Sequence, residues 1–558
     1  MRLRHLCLLA SVSAAAMLMQ AGLVTGAQAQ SAAALTGTVS STEEGNMEGV
    51  LVTAKKEGST IAITVVTNDK GQYSFPADRL SPGKYKITMR AAGYSLPSTD
   101  ATVAAGQGAK ADLKLSRVKN IVPMLSNAEW LISAPGPDSI KNNLLGCPSC
   151  HTFQRIFVSS HDADEFVALF KRMGTYSPGS TPAHPQPLLP GPRGERAPME
   201  QSQMRPTAEW LASVNMSNTD AREYDLKTLP RPKGKSTHVI VTEYDLPRSV
   251  AQPHDVVVDQ DGIVWYSDFA AQYAGYMDPK TGEAHDIDIP VLKPEQPKGS
   301  LEITFDPGEK NAWLALMYQA GIAKIDRQTK KVTMYPFPKD WQSPSTQASM
   351  VSPQHSDVDG KVWTNNQEYH HMYRLDVATG KYENVGPSKG PDGKQISAYG
   401  MPTDYQNNVY QLEFGGTRIG LRNAKDLTTL VYQTPIAKSR PRRGRVDEQN
   451  RLWFAEYQGN AIAMFDPKTA QIKEYPLPTK WGNPYDVVPS KGAKEVWTGS
   501  MLNDLVARLD TSTGEITEYL LPKSTNIRRV FVQETATRPT LWIGSNHGAS
   551  IVKVEPLD

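Results

Sequence analysis

From Thr237 onward, apolar and polar residues alternate in short runs, and the runs themselves recur. Seven aromatic positions mark the recurrence: Trp265, Trp313, Trp363, Tyr410, Trp453, Trp497 and Trp542, at intervals of 48, 50, 47, 43, 44 and 45 residues. Each lies in a strand-like run such as "GIVWYSDF", "GKVWTNNQ" or "RLWFAEY". Most are followed by a run ending in "DPKTG", "DRQTK", "DVATG", "DPKTA" or "DTSTG", then by "DIDIP", "MYPFP", "EYPLP" or "EYLLP". Four strands in roughly forty residues, repeated seven times, predict a seven-bladed β-propeller over 237–558. A stray "TEYDLP" at Thr242 to Pro247 precedes the first full repeat, and the seventh stops at "VEPLD" without its last strand. The early strand can therefore complete the last blade and close the ring, which leaves no open sheet edge.

Upstream the period changes twice. Residues 34–116 hold short alternating runs, among them "ALTGTVS", "EGVLVTAKK", "IAITVVTN" and "GKYKITMRAAGY", parted by Gly, Asn, Asp and Pro. They predict a small β-sandwich, with Tyr73 and Phe75 two apart on its core face. The run "TGTV...GVLVTA...TNDKGQYSFP...PGKYKITMRAAGY" resembles the carboxypeptidase regulatory-like, transthyretin-like domain, which implies a spacer or adhesive module without chemistry of its own. Between 120 and 218 the pattern is helical. Phe166, Leu169, Phe170 and Met173 follow i, i+3, i+4, i+7, and "PTAEWLASVN" predicts a helix with Thr207 able to cap it. The expected chain is mainly β, with this helical segment between sandwich and propeller.

Hydrophobic residues at 39% and charged residues at 21% describe an ordinary globular chain, and 558 residues exceed what one core can hold. A formal net charge of +2, with no basic run or aromatic-spaced basic stripe, gives no sign of a nucleic-acid partner. Residues 1–29 read as a cleaved secretory signal: Arg2 and Arg4, the apolar run Leu6 to Leu23, and the small-x-small site Ala27-Gln28-Ala29. Ser11, Ser13, Gln20 and Gly22 interrupt that run, and no later segment is apolar enough to span a bilayer. The expected location is the periplasm.

The compartment bears on the cysteines. Of three, Cys7 leaves with the signal, so Cys147 and Cys150 of "LLGCPSCHTFQRIF" remain. A zinc site would need two further ligands that no second C-x-x-C or H-x3-H supplies, and a thioredoxin-like site would sit in a βαβ unit rather than between helices. A plain disulfide leaves His151 unexplained. C-x-x-C-H is the attachment motif of one covalent haem c, with thioethers from Cys147 and Cys150 and an iron ligand from His151. Helices on both sides of it resemble a class I cytochrome c domain over 120–218. The "ADEF...KRM" run resembles cytochrome domains of periplasmic quinohaem dehydrogenases, which implies Met173 as the sixth ligand ahead of Met199, Met204, His161, His184 or water.

Innermost blade strands line a propeller's channel, and here they begin "QPHDVVVD", "GSLEITFD", "SMVSPQHSD", "SAYGMPTD", "SRPRRGRVD", "NPYDVV" and "TNIRRVFV". They carry His254, Glu302, His355, Tyr399, Arg442, Arg443, Tyr485 and Arg528 towards one opening. Of these, His254, His355, Tyr399, Arg443, Tyr485 and Arg528 are the expected functional set, suited to a small anionic or polar organic ligand.

The blades "PHDVVVDQDGIVWYSDF...YMDPKTG...DIP" and "RLWFAEYQGNAIAMFDPKTAQIKEYPLP" resemble the virginiamycin B lyase, or streptogramin lyase, family. The resemblance implies a seven-bladed propeller that opens a cyclic depsipeptide by elimination, with a histidine base and a Mg2+ ion in the propeller. Neither His254 nor His355 registers onto that base, and Asp268, Glu413 and Glu456 are scattered rather than paired for a metal. Haem beside a ligand-binding propeller points instead to electron transfer or an oxidoreductase acting on a small organic substrate, with a redox partner protein. The alternatives are a carbon-oxygen lyase with an accessory haem and a carbohydrate or small-ligand binding or sensing protein.

Overall fold

The computed structural model describes residues 33–192, 194, 196–216 and 224–558. The export signal expected over 1–29 lies outside them. The described chain is mainly β, with an N-terminal β domain and a C-terminal propeller-like ring joined by a helical segment.

In the ring, seven sheets succeed one another, beginning with the inner strands at Pro253–Val258, Ile303–Phe305, Val351–Ser352, a bridged segment near Gly400, Pro441–Val446, Pro484–Pro489 and Ile527–Gln533. The fourth sheet has three regular strands, and its inner segment touches the next only through the bridges Gly400 to Leu412 and Thr403 to Val409. Pro402, which has no amide proton to donate, sits in that segment. All seven repeat aromatics are buried. Several are pinned by a hydrogen bond from the indole to a residue ending the inner strand: Trp265 to Asp259 at 3.0 Å, Trp313 to Asp306 at 3.3 Å and Trp453 to Asp447 at 2.8 Å. Apolar burial of the ring drives packing between blades, while this bond satisfies the one polar atom the ring carries inward.

Ring closure follows the sequence expectation. Strand Val239–Asp245 pairs antiparallel with the last strand, from Val239 opposite Pro556 to Asp245 opposite Ser550. Its other edge is also used: Ile240 to Tyr244 pair with Val65 to Ile61 of the sandwich. The seventh blade thus continues into four sandwich strands as one eight-stranded sheet. Ile240 is buried in the sandwich core, where Tyr73 and Phe75 also lie.

The middle segment forms helices at Asn127–Ser133, Asp138–Lys141, Gln154–Phe157, Ala163–Gly174 and Gln201–Val214. Ser126 and Asp162 cap two of them, each reciprocated by a glutamate three residues on. The last helix begins at Gln201, five residues before Pro206, where the sequence suggested it would start. The buried stripe Met204, Thr207, Ala208 and Leu211 carries it through Pro206, and the Thr207 hydroxyl accepts from Asn143 at 2.9 Å instead of capping. The segment does not stand apart from the propeller. Trp130, Phe157 and Leu211 share one core with Tyr457, Trp481, Tyr485 and Leu502 of the ring. Among the described residues no helix is long and apolar enough to cross a membrane.

Candidate functional site

The C-x-x-C-H turn lies on the propeller's mouth, held there by its backbone. The Tyr457 hydroxyl donates to the Leu145 carbonyl at 2.6 Å and Asn526 Nδ2 to that of Pro148 at 2.9 Å. His547 Nε2 lies 3.2 Å from the Ser149 carbonyl. A carbonyl only accepts, so His547 carries its proton on Nε2, and burial lowers its pKa to about 4, keeping it neutral. Two blades, the fifth and the seventh, therefore grip the backbone on both sides of Cys147.

On the far side of that turn is an apolar pocket. Cys147, Cys150, His151, Phe166, Leu169 and Met173 line it, with Arg155, Arg172 and Arg196. Both thiols are free, and burial pushes Cys147 up to about 12 and raises Cys150. A redox-active dithiol has its thiolate favoured, the opposite sense. His151 Nδ1 is 3.0 Å from the Thr152 carbonyl, which fixes the proton on Nδ1 and leaves Nε2 as the basic nitrogen. The other candidate iron ligands are dispersed. His161 lines the same pocket but its Nδ1 pairs with Glu165 at 3.3 Å. Met199 lines a different cavity, Met204 is in the core, and His184 Nε2 meets the Ala270 carbonyl at 3.1 Å.

That second cavity, about 960 Å3, lies between the helical segment and the propeller. It shares Gly146, Ser149, Arg196 and Pro198 with the cysteine pocket, so one thin wall divides the two. Its floor has a simple origin in the repeat. In six of the seven blades, five residues before the strand-ending position (Asp259, Asp306, Asp404, Asp447, Ser490 and Gln533) stand His254, Leu301, Tyr399, Arg442, Tyr485 and Arg528. Equal offsets put these side chains at one depth, and all but His254 line the cavity. His254 is one bond behind. Its Nδ1 donates to Asp255 at 2.6 Å, its Nε2 accepts from the Tyr485 hydroxyl at 3.2 Å, and Tyr485 is hydrogen-bonded to Tyr399. Burial holds His254 down to about 3, so it is neutral, and burial with the neighbouring Tyr485 raises Tyr399. The result is a hydrogen-bonded path from the cavity to a carboxylate.

One residue deeper the chemistry changes. Arg443 makes two 2.8 Å bonds to Asp255 and one of 2.9 Å to Glu302, and Arg529 reaches Asp255 at 3.0 Å. Arg443 is 1% exposed, and its charge is spent inside this layer rather than offered to a ligand. Burial alone would raise the Asp255 carboxyl, but Arg443, then His254 and Arg529, pull it well below the usual range. His355 lies elsewhere again, in a small cavity of about 80 Å3 on the other side of this layer, with Nδ1 2.9 Å from the Thr403 hydroxyl. The six residues expected to converge thus separate: Tyr399, Tyr485 and Arg528 meet at the cavity, His254 supports them, and Arg443 and His355 do not reach it.

Sequence reasoning passed over Asp255, Arg529, Asn526 and His547. Their signal was available only for the first two, as residues adjacent to channel positions. For a Mg2+ ion the donors are lacking: among the described residues no group of three or more His, Cys, Asp or Glu is arranged to hold a metal ion. Asp268 is paired with Arg248 at 2.7 Å and Glu413 with Arg418 at 2.6 Å.

No curated protein matches the chain. Among solved structures, virginiamycin B lyase from Staphylococcus aureus is 18% identical over 57% of this chain and 99% of that one, with a TM-score of 0.48. A streptogramin B lyase structure is also 18% identical, over 58% of this chain and 100% of that one, with a TM-score of 0.48. Residues 34–116 match the Carboxypeptidase regulatory-like domain, and residues 288–557, most of the ring, match the Virginiamycin B lyase family.

Proposed function

We propose that the chain is a periplasmic c-type haem protein whose propeller binds a small organic molecule, acting as an oxidoreductase or electron-transfer protein. One observation carries this reading: Cys147, Cys150, His151 and Met173 line a single apolar pocket that the propeller clamps over its own mouth. The residues fit the group. Two free thiols suit thioether formation, His151 keeps Nε2 unused, Met173 offers a thioether sulfur, and three arginines can neutralise propionates. The pocket encloses about 200 Å3, enough to embed an edge of a porphyrin rather than the whole ring. When bound, haem c supplies one-electron transfer.

The chain's own residues would do the rest. The cavity floor positions a substrate against the wall shared with the cysteine pocket. The Tyr399 and Tyr485 hydroxyls, backed by neutral His254 and ionised Asp255, can take up or return a proton at His254 Nε2 without opening the cavity to water. A redox partner protein would complete the circuit.

The test is colour. Protein matured in a host with a haem-attachment system is expected to keep its colour through acid-acetone extraction, and Cys150→Ser to lose most of it. Met173→Ala is expected to lower the reduction potential and abolish the weak far-red thioether band. Colourless protein with both thiols free would overturn the reading. The family match over 288–557 favours a second reading, a carbon-oxygen lyase on a cyclic ester. Ring opening of a cyclic depsipeptide, lost in His254→Ala, would establish it.

A further inference from the structure

Two guanidinium groups at the cavity floor have no counter-charge. Arg442 is 7% exposed and Arg528 2%, and among the described residues neither forms a salt bridge. Arg443, Arg445 and Arg529, one tier deeper, all do. Nε of Arg442, and Nε with one terminal nitrogen of Arg528, lack any hydrogen-bond partner. Aromatic faces surround Arg442 instead: its carbon Cζ lies 3.7 Å from the Tyr485 ring centre, 4.3 Å from Phe414 and 4.5 Å from Tyr457. Arg528 stands 5.4 Å from the same Tyr485 ring and 5.8 Å from Phe269. Cation-π contact returns only part of what a buried charge loses in leaving water. Around them the cavity lining carries five basic residues and one acidic, Glu200 at the exposed rim.

We propose that this cavity is a binding site for a small organic carboxylate with an aromatic body, its carboxylate held by Arg442 and Arg528. The unpaired donors call for an anion, and the apolar walls of Phe269, Leu301, Met317 and Phe414 call for a ring rather than a bare inorganic ion. A carboxylate could come from a diffusible acid or from a haem propionate. The cysteine pocket has Arg155 and Arg172 of its own for propionates, besides the shared Arg196, so the diffusible acid is the occupant assigned here. The inference deepens the ligand-binding half of the function proposed above and does not depend on haem.

The experiment uses the full mature chain, made with and without haem attachment, titrated calorimetrically with benzoate. Saturable binding of similar strength in both preparations is expected, weakened roughly ten- to a hundredfold in Arg442→Met and in Arg528→Met and unchanged in Lys468→Gln on the exposed surface. Without benzoate, both methionine variants are expected to melt at a higher temperature than the parent, because each removes an unpaired buried charge. A merely structural arginine would give lower melting. No saturable binding, equal affinity in the double variant, or binding confined to the haem-free preparation would each overturn the inference, the last by assigning the arginines to propionates. Colour retention, read on the same samples, judges the haem reading separately: colourless protein that binds benzoate sinks that reading alone.

Discussion

Asn526 Nδ2 donates to the Pro148 carbonyl at 2.9 Å across 378 positions of sequence, joining the seventh blade to the middle of the C-x-x-C-H turn. Both ends are buried, so the bond works without competition from water. Asn526→Ala is expected to cost on the order of 1 kcal/mol and to speed amide exchange selectively at 146–151. Uniform protection across that turn would show that the Tyr457 and His547 contacts suffice.

Arg443 and Arg442 are neighbours with opposite consequences. Removing Arg443 leaves the buried carboxylates of Asp255 and Glu302 to share Arg529, so Arg443→Met is expected to destabilise the protein by about 3–5 kcal/mol. Urea unfolding monitored by tryptophan fluorescence measures it. An Arg443→Met midpoint equal to the parent's would mean that Arg529 alone can neutralise the layer.

Glu456 gives the stability an unusual slope with pH. Burial, then the adjacent Glu474, raises its pKa from the ordinary 4.5 to about 9, and both of its carboxyl oxygens lack a hydrogen-bond partner in the structure. A carboxyl whose folded pKa is raised binds more protons folded than unfolded between those values. Stability is therefore undiminished below about pH 4.5 and falls by about 1.4 kcal/mol per pH unit up to about pH 9. At pH 7 this amounts to at most about 3 kcal/mol. Glu456→Gln is expected to flatten that slope and to be more stable than the parent at pH 8, with little difference at pH 5. Parallel melting curves for the two proteins across that range would refute the assignment.

What could be read from the chain beforehand was whatever repeats or alternates. The seven aromatics, the closing strand and the helical stripe of Phe166, Leu169, Phe170 and Met173 are periodic, and periodicity is a property of sequence. Which channel residue faces a ligand is not. Arg442 and Arg443 are adjacent and identical in type, and only the offset from Asp447 separates a cavity-facing guanidinium from one locked to Asp255. His355 resembled His254 in lying on an inner-strand run, yet it sits in the turn three residues past strand Val351–Ser352 and emerges on the other side of the ion-paired layer. The clamp on Leu145, Pro148 and Ser149 was invisible because it is made to backbone carbonyls, which every sequence has.

Strand Val239–Asp245, paired on both edges, bears on how the chain is made. Its partner in the ring, Ser550–Pro556, lies about 300 residues further along the chain, so the ring cannot close until that strand has been made. Bringing ends so distant together costs loop entropy, and long-range strand pairing is slow. The sandwich is finished first, and domains tend to fold in the order they emerge. By pairing with Ile61 to Val65, the waiting strand acquires a fixed direction and register before its partner exists. The N-terminal domain can thus serve as a template for the last blade, and it covers an edge that would otherwise invite pairing between chains.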